Sequence, residues 1–124
     1  MSEMLKGIDL VKALSLAFGP TGCEKEVREL IYSQIKDLGA EIKKDKMGNM
    51  CALLKGTLPE NERKTIMISA HMDEVGFMVK HIDGEGYVKL VTVGGIDDRV
   101  IAGKRIVFKN ENGEEDFTGR KNYQ

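Results

Sequence analysis

Leu10, Ala13, Leu14 and Ala17 recur at three- and four-residue intervals, the stripe of a short amphipathic helix that Asp9 caps and that runs to about Phe18. Gly19-Pro20-Thr21-Gly22 breaks it. A second helix is predicted from about Glu24 to Leu38, where Val27, Leu30, Ile31, Gln34, Ile35 and Leu38 share one face and Gly39 supplies a C-terminal stop. That face requires a sheet or another helix to cover it. The period then changes to two. Glu41 to Asp45 and Met50 to Leu54 read as strands of a hairpin across Lys46-Met47-Gly48-Asn49, closed by Lys55-Gly56. After a polar loop from Thr57 to Arg63, Thr65 to Ala70 is a near-continuous apolar run of strand length, the pattern of a strand covered on both faces of a central sheet.

Beyond Glu74 the texture becomes that of short strands broken by glycine. Gly76 to Ile82, a turn at Asp83-Gly84-Glu85-Gly86, Tyr87 to Val93, Gly94-Gly95, Lys104 to Asn110 and Asn112-Gly113 together read as a small all-β module, a partial barrel. The change places a boundary near Glu74, with 1–74 as one domain portion and 75–124 as another. No internal repeat or low-complexity tract is visible.

A chain of 124 residues fits one ordinary domain and buries a core without needing disulfide or metal staples. The net charge of -1 with 31% charged residues leaves no strong field for nucleic acid or an anionic membrane, and no apolar run approaches the roughly 20 residues of a spanning helix. Cys23 and Cys51 are the only thiols, and no hydrophobic leader precedes Asp9. The expectation is a soluble protein in a reduced, cytoplasmic setting.

Candidate chemistry sits where the apolar run ends, in His71-Met72-Asp73-Glu74. Strand residues two apart face the same side at about 6.6–6.8 Å, so His71 and Asp73 point into one pocket while Met72 points away. A neutral imidazole nitrogen binds zinc or cobalt, and a carboxylate on the other nitrogen sets the tautomer and raises ligand basicity. His71 is then the metal ligand, and Asp73 belongs to the catalytic apparatus as the acid that orients it. The competing reading makes His71 the end of a core strand bonded to a carbonyl, with Asp73 and Glu74 as solvated loop acids. For an isolated His-x-Asp that reading is the better one. It weakens here because open α/β sheets put their sites at the mouths of such strands.

Other candidates have plainer explanations. His81, ten residues on among polar neighbours, reads as a surface histidine. Gly94-Gly95 lacks the Gly-Lys-Ser/Thr of a phosphate loop, and Cys23 has no base to pair with. Asp97, Asp98 and Arg99 read as loop charges. The seven methionines are scattered through the pattern as core gap-fillers.

Four blocks in order carry a resemblance. They are Ala17 to Glu24, Asp45-Lys46-Met47-Gly48-Asn49, Ser69 to Val79, and Val93-Gly94-Gly95-Ile96-Asp97 through Gly103-Lys104-Arg105-Val107. Together they resemble the dinuclear-metal aminopeptidases that include glutamyl aminopeptidase, deblocking aminopeptidase and the tetrahedral (TET) peptidases, and they match the N-terminal portion of that family. The resemblance implies a zinc-peptidase-like α/β/α catalytic domain into which a β-barrel-like dimerisation domain is inserted after the His-x-Asp strand. It implies cleavage of amino acids from peptide N-termini, two metal ions, zinc or cobalt, and a homo-oligomer. It matches His71 to the first metal ligand and Asp73 to its supporting acid, and allows Asp97, Asp98 and Arg99 a place near a subunit contact.

The family's bridging aspartate, catalytic glutamate pair and other ligands have no counterpart before Gln124, and Arg120-Lys121-Asn122-Tyr123-Gln124 departs from the pattern of relatives. The expectation is therefore an α/β fragment, the first part of a catalytic domain with an incomplete inserted module, inactive by itself. The alternative is a non-catalytic remnant that self-associates or pairs with complete subunits through uncovered edges and apolar faces.

Overall fold

A computed structural model describes residues 4–110 and the strand at 115–120. Helix α1 spans Gly7–Leu16 and α2 spans Lys25–Ile35. Three separate two-stranded antiparallel sheets follow: β1 (Glu41–Lys44) with β2 (Met50–Leu53), β3 (Gly76–Ile82) with β4 (Val88–Val93), and β5 (Arg105–Lys109) with β6 (Glu115–Arg120). The chain divides into two compact units, Met1–Gly94 and Gly95–Gln124.

In the first unit the helical stripes behave as their periodicity requires up to Ile35, where α2 ends; Leu38 lies beyond it and is exposed. Leu10, Ala13, Leu14 and Ala17 are all half-buried, Val27 is buried, and Leu30, Ile31, Gln34 and Ile35 are half-buried. The amide of Leu5 donates to Gln34 Oε1 at 2.7 Å, tying the start of α1 to α2. The cap is a correction. Lys6 occupies the N-cap position without a side-chain bond, and Asp9 lies inside the first turn. There its carboxylate faces the positive end of the helix dipole, which rewards an acid anywhere in that turn.

The β1–β2 hairpin pairs Glu41 with Leu53 through Lys44 with Met50. Its turn is built on Asp45, whose Oδ1 accepts from the amides of Met47 and Asn49, both at 2.9 Å, while Oδ2 accepts from Asn49 Nδ2 at 2.8 Å. Gly48 holds φ at +92°, and the Arg28 guanidinium of α2 donates to its carbonyl at 3.2 Å. A side chain at Gly48 would be both strained and crowded, since a Cβ would fall 2.9 Å from Arg28 Nη1.

The run from Thr65 to Ala70 overturns an expectation. It joins no ladder among the described residues, and Ile66, Met67 and Ile68 are 86%, 85% and 93% exposed. A strand's backbone groups need a neighbouring strand, and its apolar side chains need covering layers. The described residues offer neither, so each of these side chains forgoes about 1.5–3 kcal/mol of burial. The segment that ends in His71 is thus an uncovered apolar stretch and not a core strand.

Beyond it, β3 and β4 form where alternation and the Asp83-Gly84-Glu85-Gly86 turn predict, with a register shift between Val79 and His81. Asp83 Oδ1 holds that turn by accepting from the amides of Glu85 and Tyr87 at 3.0 and 2.9 Å. In the second unit, a short 3-10 turn at Asp98–Val100 precedes β5, and Ile101 is the buried hydrophobic residue among those described. The predicted turn at Asn112-Gly113 lies outside the described residues.

Among the glycines of the first unit, Gly19 has the least room for a side chain. A Cβ there would fall 2.6 Å from Val27 Cγ2, with Met72 O 3.5 Å away. Gly19→Ala is expected to destabilise the chain by about 1–3 kcal/mol, as overpacking does. Urea unfolding of Gly19→Ala, Val27→Ala and the double variant checks this. The double variant should be more stable than the sum of the single losses, because Val27→Ala removes the clashing methyl.

A candidate metal-ligand dyad

Asp73 and Glu74 are positioned by the Gly19-Pro20-Thr21 segment that follows α1. The amide of Glu74 donates to Gly19 O at 2.9 Å, and the amide of Thr21 donates to Glu74 O at 3.3 Å. These bonds flank an isolated parallel bridge between Pro20 and Glu74. Proline at the centre suits the arrangement, because its missing N–H is not asked to donate. Glu74 Oε1 also accepts from the Gly19 amide at 3.4 Å, so Glu74 is a structural tie between segments and not merely a solvated loop acid. Gly76 continues the close approach, since a Cβ there would lie 3.1 Å from Pro20 Cβ.

Within this frame His71 and Asp73 meet, although neither lies in the strand that their i, i+2 reading assumed. His71 Nδ1 lies 3.1 Å from Asp73 Oδ1 and 2.8 Å from the Asp73 carbonyl oxygen. A carbonyl only accepts, so Nδ1 carries the proton and donates to both oxygens. In the neutral ring this tautomer leaves the Nε2 lone pair available to a metal ion or a donor. The imidazole is 84% exposed and the Asp73 side chain 37%.

The other carboxylate oxygen, Asp73 Oδ2, accepts from Thr21 Oγ1 at 2.7 Å across 52 positions of sequence. The Thr21 hydroxyl is the main reason the Asp73 carboxyl is held below the usual carboxylate range, with partial desolvation opposing it and backbone and His71 hydrogen bonds adding to it. Thr21 is the site residue that residue-by-residue reading missed. Gly19-Pro20-Thr21-Gly22 read only as a helix breaker, although the block from Ala17 to Glu24 was among those carrying the family resemblance.

His81 lies exposed on β3 opposite Lys89. Cys23 and Cys51 are exposed free thiols. In the second unit, Asp97 and Arg99 pair with each other, Nε to Oδ1 at 3.0 Å and Nη2 to Oδ2 at 2.7 Å. No group of three or more His, Cys, Asp or Glu side chains that could hold a metal ion is gathered among the described residues. His71 and Asp73 thus fit one ligand and its support, and the described residues do not supply a full coordination set.

The family model of M42 glutamyl aminopeptidase matches residues 48–120, more than half of the chain. The chain belongs to the M42 glutamyl aminopeptidase family. It is 42% identical over 102 residues to a putative aminopeptidase of Acetivibrio thermocellus, covering 82% of this chain and 29% of that protein. It is 37% identical over 107 residues to the lysyl aminopeptidase of Pyrococcus furiosus, covering 86% of this chain and 30% of that protein. Among solved structures it resembles the TET1 peptidase of Pyrococcus horikoshii, described as assembling into a tetrahedron or a large octahedral shell. The TM-score is 0.73 at 36% identity, with 86% of this chain and 30% of that chain covered. The chain therefore spans less than a third of the length of these M42 relatives, and the match gives it a mixed α/β fold of their kind. Among the described residues no helix is long and apolar enough to cross a membrane.

The lowered pKa of Asp73 has a defined consequence for acid stability. With a folded-state pKa below the unfolded value of about 3.9, the contribution is fully present above that value and is lost as pH falls through the depressed folded value. Acid unfolding followed by circular dichroism should be shallower below about pH 4 in Asp73→Asn than in the parent chain. Coincident profiles would show that the Thr21–Asp73 contact does not stabilise the fold.

Proposed function

We propose that this chain is the N-terminal part of the catalytic domain of a metal-dependent M42 aminopeptidase, with His71 as a metal ligand and Asp73 as the acid that orients it. The observation that carries this reading is the two-acceptor clamp on His71 Nδ1, which leaves Nε2 as the coordinating atom on an exposed ring. Carboxylate and carbonyl partners on the distal nitrogen are what metal-binding histidines use to hold their tautomer. A dinuclear zinc or cobalt centre, when bound, polarises the scissile carbonyl and lowers the pKa of bound water. This chain's own contribution is narrower: His71 presents a donor, Asp73 aims it, and the Gly19–Thr21 ladder holds Asp73 in place.

The substrates of the complete enzyme are peptides cut at their N-termini. Residues 1–74 contribute to the catalytic domain, and 75–124 to an inserted, barrel-like dimerisation module of which β3–β4 and β5–β6 are hairpins. The assembly is a homo-oligomer, as described for the Pyrococcus horikoshii TET1 peptidase. A reducing, cytoplasmic location agrees with two unpaired, exposed thiols.

A catalytic zinc takes about three protein ligands plus water, and the described residues gather no such set. The 124-residue chain alone is therefore expected to retain no stoichiometric zinc or cobalt after dialysis and to release no product from amino-acid anilides. Tight metal with turnover would refute the assignment of incompetence. In a polypeptide spanning the full length of the relatives, Asp73→Asn is expected to weaken metal binding about 10–100-fold. Unchanged affinity there would remove Asp73 from the role of orienter.

A second reading is favoured by the exposed run Ile66-Met67-Ile68. An uncovered apolar stretch flanked by unpaired backbone drives chains together. In sedimentation, the isolated chain is expected to show concentration-dependent mass that falls when Ile66 and Ile68 are replaced by lysine. A monodisperse parent monomer would count against it.

A further inference from the structure

The backbone ladder at Gly19–Thr21 and Glu74 brings a hydroxyl to the free oxygen of the acid beside His71, and the ladder does not depend on that hydroxyl. Thr21 is held by its own amide on Glu74 O at 3.3 Å, and the neighbouring bond from the Glu74 amide to Gly19 O is 2.9 Å. From this backbone, Thr21 Oγ1 reaches Asp73 Oδ2 at 2.7 Å while Asp73 Oδ1 lies 3.1 Å from His71 Nδ1.

We propose that Thr21 is a positioning residue: its hydroxyl pins one oxygen of Asp73, so that the other stays on His71 Nδ1 and the imidazole is kept in the tautomer that leaves Nε2 unprotonated. The inference rests on the reading of His71 as a metal ligand for its functional meaning, but the geometry stands without it. A carboxylate has two equivalent oxygens and rotates about a broad, two-fold torsion. On a side chain as open as Asp73, with 37% exposure, water competes for both oxygens. A hydroxyl donor fixed by backbone bonds at one oxygen removes that freedom, and the plane of the carboxylate then aims the second oxygen at the ring. The backbone carbonyl of Asp73 also accepts from Nδ1, at 2.8 Å, and it belongs to the same residue whose side chain Thr21 restrains.

The hydroxyl, and not the bulk of the residue, is the operative group. Thr21 is exposed, so Thr21→Val removes the donor at nearly constant shape without opening a cavity, and leaves the amide that makes the ladder. Thr21→Ser keeps the donor.

The test is long-range proton–nitrogen correlation on the imidazoles of the whole 124-residue chain, without metal or substrate, at about pH 8, where an ordinary imidazole with a pKa near 6.5 is neutral. His71→Gln identifies the His71 signals against those of His81. The expected result is a dominant Nδ1–H form of His71 in the parent, a several-fold fall in its ratio to the Nε2–H form in Thr21→Val, and recovery in Thr21→Ser. Amide signals of Thr21 and Glu74 report whether the ladder persists. A parent without a dominant Nδ1–H form overturns the proposal directly, whatever the variants do. So does an unchanged ratio in Thr21→Val with the ladder intact, or a Thr21→Ser chain that keeps its ladder and fails to recover. Because no metal enters this measurement, its outcome is separate from that of the metal-affinity test, which decides whether His71 is a ligand at all.

Discussion

The two backbone hydrogen bonds that join Gly19-Pro20-Thr21 to Glu74 are the contact on which the first unit's site depends. Two side-chain bonds lie beside them, from Thr21 Oγ1 to Asp73 Oδ2 and from the Gly19 amide to Glu74 Oε1. The stretch from Cys51 to His71 is exposed throughout, and the ladder fixes its far end as the β1–β2 pairing and the Arg28–Gly48 bond fix its near end. Through the ladder, the turn after α1 becomes the platform on which Asp73 and Glu74 rest. Gly19 has to be glycine for steric reasons, since Val27 Cγ2 occupies the space of its Cβ, and Val27 is the residue by which α2 anchors against this turn. Helix packing, turn geometry and the acid beside His71 are thereby one connected arrangement.

The energetics of that arrangement are modest, as the burial pattern requires. Val27 and Ile101 are the buried hydrophobic residues among those described, one in each unit, and the helical stripes are only half covered. Stability in such a chain comes from local devices. Asp45 and Asp83 each gather amides of their own turns, Asp97 accepts from Arg99, and the hairpins pair in register. Exposed pairs of this kind contribute little each, and less in salt. The largest uncompensated feature is the apolar run Ile66-Met67-Ile68, whose pattern belongs to the interior of a sheet.

Most of the local structure was legible along the chain. The α2 stripe, the hairpin across Gly48 and the β3–β4 hairpin across Asp83-Gly84 follow from periodicity and turn chemistry, because each is decided by residues within a dozen positions of one another. The family was legible too, from four short blocks in order. Two readings fail for different reasons. The pattern places the cap at Asp9, which occupies the first turn instead, a shift of a few residues that leaves the dipole interaction intact. The apolar pattern of Thr65 to Ala70 suits a covered sheet, but a composition suited to burial does not by itself supply the layers that bury it.

The residue types and their spacing by themselves marked His71 and Asp73 as a candidate pair, although the strand expected to align them does not form. They also settled the helices, the hairpins and the turns, all short-range matters. What only the tertiary structure decided is which distant residue meets that pair. Thr21 is 52 positions from Asp73, and no periodicity links a helix-breaking Gly-Pro-Thr-Gly to an acid so far along the chain. Their meeting depends on where α1 stops, how closely Gly19 lets α2 approach, and a parallel bridge centred on a proline that has no amide to offer. Those are properties of packed backbone, visible only once the segments are side by side.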